Sequence, residues 1–99
     1  MTNIKLLSDK STLQVIPSVF PDSDEFQLWG SIFLTMDALT TLEFNEGADR
    51  HQWRFNYQHQ SFCLNFEYYS ESIWISPEGV EATQLIPSLH TYLRLNLQQ

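Results

Sequence analysis

The chain has 99 residues, of which 42% are hydrophobic and 14% aromatic. This length and composition fit one domain over residues 1–99 that buries a core without metal or disulfide support, and they exclude a disordered chain. Twelve acidic against five basic side chains give a net charge of −7, which disfavours nucleic acid and anionic membranes as partners.

A hairpin is predicted at the amino terminus. Residues 4–7 and 12–16 alternate apolar and polar side chains on either side of a turn at residues 8–11. Pairing around that turn places Ile4 and Leu6 on the same side of the sheet as Leu13 and Val15. The pattern leaves open whether this hairpin forms.

Residues 22–40 predict an amphipathic helix. Their apolar residues recur at three- and four-residue intervals, and this face contains Phe26, Trp29, Ile32, Phe33, Met36 and Leu39. Asp22 follows Pro21 and precedes Glu25 by three positions, as in a capping box. Gly30 opposes a helix by about 1 kcal/mol relative to Ala. Part of the segment also fits a strand period, so its full helical extent stays open.

Residues 41–77 carry the strongest pattern, because apolar and polar residues alternate through four consecutive segments. The apolar sets share one side of an antiparallel sheet if the chain turns at residues 46–50, 59–60 and 70–71. The opposed pairs in this register are Leu42 with Trp53, Phe44 with His51, Tyr57 with Phe62, Phe55 with Leu64, Trp53 with Phe66, His51 with Tyr68, Phe66 with Ile75 and Tyr68 with Ile73. Four strands then form a meander.

The two faces of this meander differ in chemistry. The inner face is apolar and must be covered by helices; its residues are Leu42, Phe44, His51, Trp53, Phe55, Leu64, Phe66, Tyr68, Ile73 and Ile75. The outer face is polar and carries two large aromatic side chains; its residues are Glu43, Arg50, Gln52, Arg54, Asn65, Glu67, Tyr69 and Trp74.

The second covering helix is predicted at residues 79–95, where Leu85, Ile86, Leu89 and Leu93 fall on one face. Pro87 lies inside this segment, so we expect a kink or a helix that begins near Pro87. Together these elements predict an α+β fold, a two-layer sandwich in which two helices pack on one face of an antiparallel β-meander.

The chain offers little chemistry, and no catalytic residue, cofactor or metal is predicted. His59 and Cys63 are four apart, but structural zinc needs four ligands and the other histidines do not complete such a set. Ser88 and His90 lie close in sequence without a third group to orient them. We therefore expect a protein that is not an enzyme.

His51 is the one histidine that the register places on the apolar face, close to Tyr68. The favoured interpretation is a packed histidine that forms a hydrogen bond with the Tyr68 hydroxyl or with a loop carbonyl. The alternative is a small-ligand pocket beside His51 and Tyr68, which makes the protein a ligand-binding domain.

The outer face is the best candidate for function. Trp74, Tyr69, Glu67, Arg54 and Arg50 form the predicted partner-binding residues, because Trp, Tyr and Arg are enriched at binding hot spots. An exposed edge strand offers a second route to association. We expect a non-catalytic protein–protein interaction or regulatory module that binds a protein partner or associates with itself as a homodimer.

A different class of function follows from the acidic balance. A small negative protein can act as an acidic inhibitor or an immunity-like decoy that occupies the basic cleft of a partner. That function requires a concentrated acidic patch, whereas the charges here are spread along the chain.

The cellular setting predicted from the sequence is the cytoplasm. Cys63 is the single cysteine and cannot form an internal disulfide. The first residues lack a signal-peptide pattern, and no apolar run approaches the roughly 18 residues of a membrane span.

Two stretches, FEYYSESIWIS at residues 66–76 and ADRHQW at residues 48–53, resemble a family of small uncharacterised gammaproteobacterial proteins defined as a domain of unknown function. The resemblance covers the central third to half of the chain. It implies a bacterial cytosolic setting and a helix-flanked sheet, and it implies no activity and no catalytic residue.

Overall fold

The computed structural model describes residues 2–9 and 11–97. Within these residues a six-stranded antiparallel sheet has the order β1-β2-β6-β5-β4-β3. The elements in chain order are β1 (Asn3–Leu6), β2 (Leu13–Ile16), α1 (Phe26–Phe33), β3 (Leu39–Glu46), β4 (Arg50–Tyr57), β5 (Gln60–Glu67), β6 (Ser72–Pro77), α2 (Val80–Gln84) and α3 (Ile86–Leu97). The predicted α+β architecture is confirmed, with six strands instead of four.

The amino-terminal hairpin forms as predicted and accounts for the two extra strands. Ile4 lies opposite Val15 and Leu6 opposite Leu13. β2 then pairs with β6, the last strand of the meander, through Leu13 opposite Ile75. The predicted turn at residues 8–11 includes Lys10, which lies outside the described residues.

The β4–β5 register differs from the prediction by two residues. Phe55 faces Phe62 and Tyr57 faces Gln60, so the chain turns at Gln58 and His59 instead of one residue later. Both turn residues have positive φ, 50° and 69°, which is the requirement of a type I′ hairpin turn. Neither is the Gly or Asn that usually marks such a turn. A slip of two residues keeps every side chain on its face, so the predicted faces survive while the partners change.

The same slip occurs between β5 and β6, where Phe66 faces Ile73 and Leu64 faces Ile75. β5 therefore ends at Glu67, and residues 68–71 form the loop. Tyr68 and Tyr69 lie in this loop and are 49% and 78% exposed. The predictions that Tyr68 lies on the inner face and Tyr69 on the outer face are wrong, because the sheet ends before either residue.

A β-bulge shifts the register of β3. Thr41 faces Phe55, whereas Glu43 faces Arg54, so Leu42 is the extra residue and is 44% exposed. Its predicted place on the inner face is wrong. Beyond the bulge Phe44 faces Trp53 instead of His51, again two residues from the prediction.

The predicted helix at residues 22–40 is helical over Phe26–Phe33 alone. The Glu25 carboxylate accepts the backbone N–H of Asp22 at 2.9 Å, which is one half of the predicted capping box, while no side chain caps the first turn. Phe26, Gly30 and Phe33 are buried at intervals of four and three, so one side of this helix faces the core. The end of the predicted helix is strand, because β3 begins at Leu39.

Pro87 divides the carboxyl-terminal helical segment, as expected. α2 ends at Gln84, and Pro87 is the second residue of α3. Proline is tolerated in a first helical turn because its missing N–H has no partner there. Leu89 and Leu93 of α3 are fully buried and contribute to the same core as α1.

The buried faces of all three helices join the apolar face of the sheet in one core. Its largest fully buried side chains are Leu13, Phe26, Leu34, Phe55, Phe62, Leu64, Phe66, Ile73, Ile75, Ile86, Leu89 and Leu93. On the opposite face of the sheet, the side chains other than those of Cys63 and Asn65 are half-buried or exposed. The molecule therefore has two layers, one open sheet face and two sheet edges, β1 and β3.

Gly30 sets how closely α1 approaches the sheet. A Cβ atom at this position would lie 2.5 Å from Cδ1 and 2.9 Å from Nε1 of Trp53. The same indole donates its Nε1–H to the carbonyl of Gln27 at 3.0 Å. Glycine is thus required because the Trp53 ring lies directly against the helix backbone.

We expect Gly30→Ala to lower the free energy of unfolding by about 1 kcal/mol. Overpacking against Trp53 costs about 1–3 kcal/mol and outweighs the roughly 1 kcal/mol that Ala gains in helix propensity. Urea denaturation followed by circular dichroism measures the difference.

A double-mutant cycle identifies the cause. In a Trp53→Leu background the clash is removed, and Gly30→Ala is expected to be neutral or stabilising. A stabilising Gly30→Ala in the wild-type background contradicts the close approach.

Candidate functional site

Four of the five predicted partner-binding residues lie on the open outer face of the sheet. Register places Arg50 opposite Glu67 across β4 and β5, and Trp74 lies on β6 beside Asn65. Arg54 lies opposite Cys63. Tyr69 belongs to the β5–β6 loop and is not brought to this face.

Trp74 is held between the neighbouring strands. It is half-buried, with Asn65 of β5 on one side and Gln14 of β2 on the other. The guanidinium carbon of Arg50 lies 5.2 Å from the centre of its ring, which is cation–π distance. Arg50 also pairs with the Glu67 carboxylate at 3.5 Å. The arrangement presents a rigid aromatic side chain with a cation over it.

Arg54 is the centre of a second charged group. Its guanidinium pairs with Glu43 across β3 and β4, and with Glu78, whose Oε1 lies 3.0 Å from Nη2. In the predicted register Arg54 lies diagonal to Glu67, whereas the observed register places Glu67 opposite Arg50. Hydrogen bonds from Arg54 lower the pKa of the Glu78 carboxyl. Pairs of this kind at the surface add little to stability, because water and salt screen the charges.

Cys63 lies beneath this charged group. Its side chain is buried, and its Sγ donates to the Glu78 carboxylate at 3.3 Å. Burial, and after it the hydrogen bond to Glu78 and that carboxylate's negative charge, raise the pKa of the thiol to about 12. The thiolate is the reactive form of cysteine. Cys63 is therefore a poor nucleophile at neutral pH, in spite of its place on the open face.

We expect Cys63 in the folded protein to react with iodoacetamide at pH 8 at least about a hundredfold more slowly than in the urea-unfolded chain. A rise in pKa from 9.0 to about 12 lowers the thiolate fraction by about a thousandfold. The stabilisation from this raised pKa is present below about pH 9 and lost as the pH rises toward 12. Mass spectrometry of the alkylated chain gives the rate.

Glu78→Gln is the matched variant for this reaction. It keeps a hydrogen-bond acceptor but removes the negative charge, so alkylation should become faster while the circular dichroism spectrum stays native. Equal rates for the folded and unfolded wild-type chains would show that the thiol is neither buried nor raised in pKa.

Asn65 gives the outer face a buried polar centre. Asn65 is 2% exposed. Its Oδ1 accepts from Gln52 at 2.7 Å, and its Nδ2 lies 3.0 Å from the Ser76 hydroxyl oxygen and 3.3 Å from the Trp74 carbonyl. Because these bonds join β4, β5 and β6, the middle of the open face is fixed by side chains as well as by the backbone.

His51 and Tyr68, the predicted pocket residues, are not brought together. His51 is 6% exposed and packs against Phe26, Phe44 and Phe66 at ring-centre distances of 6.4, 5.9 and 5.6 Å. The two-residue slip puts Phe66 where Tyr68 was expected. The Nδ1 atom of His51 is buried and forms no hydrogen bond within the described residues. The space beside His51 is thus filled by aromatic rings.

We expect His51→Phe to raise the free energy of unfolding by about 1 kcal/mol, since it replaces a buried unsatisfied polar atom by an apolar ring of similar shape. Thermal unfolding followed by circular dichroism measures the change. His51→Ala serves as the comparison and should destabilise, because it leaves a cavity among the three rings. A destabilising His51→Phe would show that the imidazole has a partner.

Two of the surface cavities lie beside exposed elements and were not predicted from the sequence. One, of about 420 Å³, lies between the β1 edge and α3. The other, of about 560 Å³, lies between residues 17–21 and α1 and exposes Val19, Leu28 and Ile32. Ile32 is 64% exposed, so its predicted place on the core face is wrong. The spacing of Leu28 and Ile32, four residues apart, was the available signal for this second apolar side of α1.

The described residues contain no group of three or more His, Cys, Asp or Glu side chains arranged to hold a metal ion. Among the helices described, none has both the length and the apolar character needed to cross a membrane. The carboxylates that do not pair with arginine are distributed between the start of α1, the first turn of α2, the β3–β4 turn and several loops.

The fold and the outer face define a small two-layer α+β protein with one uncovered, polar sheet face. The chain belongs to the family described as "Protein of unknown function (DUF3630)", whose model matches residues 1–91. This match confirms the resemblance to a domain of unknown function and extends it to most of the chain. No curated protein and no solved structure matches the chain.

Proposed function

We propose that this protein is a non-catalytic interaction module that associates with a second copy of itself through the open outer face of the sheet. The proposal rests on one observation. The sheet face is uncovered, hydrogen bonds of the Asn65 side chain join its central strands, and the Trp74–Arg50 pair lies at its surface. Trp and Arg are the residue types that most often dominate binding energy.

The charge of the outer face favours a second copy as the occupant. Three cations and three carboxylates lie on it, namely Lys5, Arg50, Arg54, Glu43, Glu67 and Glu78. The face therefore carries no net formal charge, although the chain carries −7. Two copies repel each other over most of their surfaces but not here, since charges of both signs can pair across the contact.

The size of the face predicts a weak dimer. Strands lie about 4.8 Å apart and advance about 3.4 Å per residue, so six strands of about six residues form a surface of roughly 24 by 20 Å. A contact of this size is at the small end of specific interfaces. We expect a dimer whose dissociation constant is in the micromolar range.

Cys63 has no disulfide partner in the structure, which suits the cytoplasmic setting expected from the sequence.

The test is sedimentation equilibrium at protein concentrations from about 5 to 500 μM. The wild-type chain is expected to self-associate, and Trp74→Ser is expected to weaken association about tenfold or more while the circular dichroism spectrum stays native. Arg50→Glu is a second variant, which keeps the Trp74 ring. It is expected to weaken association, because it removes the cation over Trp74 and places a carboxylate opposite that of Glu67.

Tyr69→Ser is the matched control, because it also replaces an exposed aromatic side chain by serine but lies in the loop beside the face. It should leave association unchanged. A wild-type chain that stays monomeric at 500 μM overturns the proposal, and so does association that Trp74→Ser and Arg50→Glu leave intact.

A further inference from the structure

The free edge of β1 presents backbone groups for another strand. The N–H of Leu7 donates to the carbonyl of Thr12 at 3.0 Å, so Leu7 is in a hydrogen-bonded position opposite β2. Hydrogen bonding alternates along an antiparallel strand, and the backbone groups of Ile4 and Leu6 therefore point away from β2. Edge groups of this kind are a template for strand addition.

A cavity of about 420 Å³ runs beside this edge. Residues 2–6 form one side, and His90, Arg94 and Leu97 of α3 form the other. The Nε2 atom of His90 lies 3.3 Å from the Ile4 carbonyl, and because a carbonyl only accepts, Nε2–H is the donor. That carbonyl has a second lone pair available. The edge of the sheet and α3 thus make a groove whose floor includes main-chain groups.

The groove differs in charge from the rest of the molecule. Lys5 and Arg94 both line it, and none of the residues that line it is acidic, although the chain contains twelve Asp and Glu residues. Both cations are exposed. Within the part of the chain that the structure describes, Arg50 and Arg54 are paired with carboxylates, whereas Lys5 and Arg94 form no ion pair.

We propose that the groove between β1 and α3 binds an extended acidic peptide segment by strand addition to the β1 edge. Main-chain hydrogen bonds to Ile4 and Leu6 supply sequence-independent affinity, and alternate side chains of the added strand point to the two sides of the sheet. Lys5 lies on the outer side by the alternation of β1, and Arg94 lies on α3 at the inner side. Carboxylates on either side of the added strand therefore meet a cation.

Local charge decides the sign of the interaction. At physiological ionic strength the Debye length is about 8 Å, so carboxylates on distant surfaces are screened from the groove. Lys5 and Arg94 dominate the field that a bound segment experiences. Binding should accordingly weaken as salt is added, and a basic segment should be rejected.

The experiment uses fluorescence anisotropy with a labelled eight-residue peptide, Val-Glu-Glu-Val-Val-Glu-Glu-Val, titrated with the full chain; this order places carboxylates on both sides of an added strand. The wild type is expected to bind this peptide, to bind it less tightly at higher salt, and not to bind the matching Val–Lys peptide. A version of the acidic peptide in which every backbone amide is N-methylated tests strand addition, since it keeps the charges but loses its main-chain N–H donors. It should bind at least about fivefold more weakly.

Arg94→Gln and Lys5→Gln are each expected to weaken binding about fivefold, which corresponds to about 1 kcal/mol. Val80→Glu is the matched control: it lowers the net charge by one unit, as Arg94→Gln does, at an exposed residue that begins α2 outside the groove. This control should bind within about twofold of the wild type. Equal loss in all three variants would show an effect of total charge and overturn the proposal.

Amide chemical shifts of the ¹⁵N-labelled chain locate the peptide. Shifts concentrated at residues 3–7 and 90–97, with slower hydrogen exchange at Ile4 and Leu6, support the groove. Shifts centred on Trp74 overturn it and assign peptide binding to the outer face instead; no binding of the acidic peptide at millimolar concentration also overturns it. The proposed self-association is measured without peptide, so the two proposals fail separately.

Discussion

One aromatic ring, that of Phe66 on β5, determines how the two layers of this protein are joined. It packs against Phe26 at 4.7 Å, Phe20 at 5.4 Å and His51 at 5.6 Å between ring centres. Phe20 belongs to the connection after β2, Phe26 begins α1, and His51 is on β4. Each such pair contributes about 0.5–1.5 kcal/mol beyond the area it buries. Because the connection and the helix are both anchored here, the chain crosses the inner face on its way to β3 and leaves the outer face open.

The sequence predicts the faces of the sheet far better than the pairing of its strands. Alternation with a period of two is unchanged by a slip of two residues, so Arg54 and Trp74 were assigned to the correct face from pattern alone. Partners depend on the turns, and the Gln58–His59 turn adopts two positive φ angles without the residues that usually signal them. For this reason the sequence did not predict that Glu67 pairs with Arg50 or that Glu78 pairs with Arg54.

Tertiary contacts decide the features that periodicity left open. Residues 34–40 have helical spacing, yet β3 begins at Leu39 and pairs with Tyr57 at the far end of β4. Pairing with a neighbouring strand thus overrides a local preference. Gly30 opposes a helix when considered alone, but its contact with Trp53 explains its presence. The groove at β1 could not be predicted from the sequence, since it joins residues 86 positions apart, as the 3.3 Å contact between His90 and Ile4 shows.

The distribution of cations gives the two proposed surfaces a physical connection. Arg50 and Arg54 are neutralised by carboxylates on the outer face, and Arg94 lies in the groove. Lys5 belongs to both, because its strand forms the groove and its side chain is on the outer side of the sheet. A strand added at β1 extends the outer face by about 4.8 Å and brings carboxylates to Lys5. Since the outer face is balanced only with Lys5 counted as a cation, occupation of the groove makes that face net negative, and a negative face opposes contact between two copies.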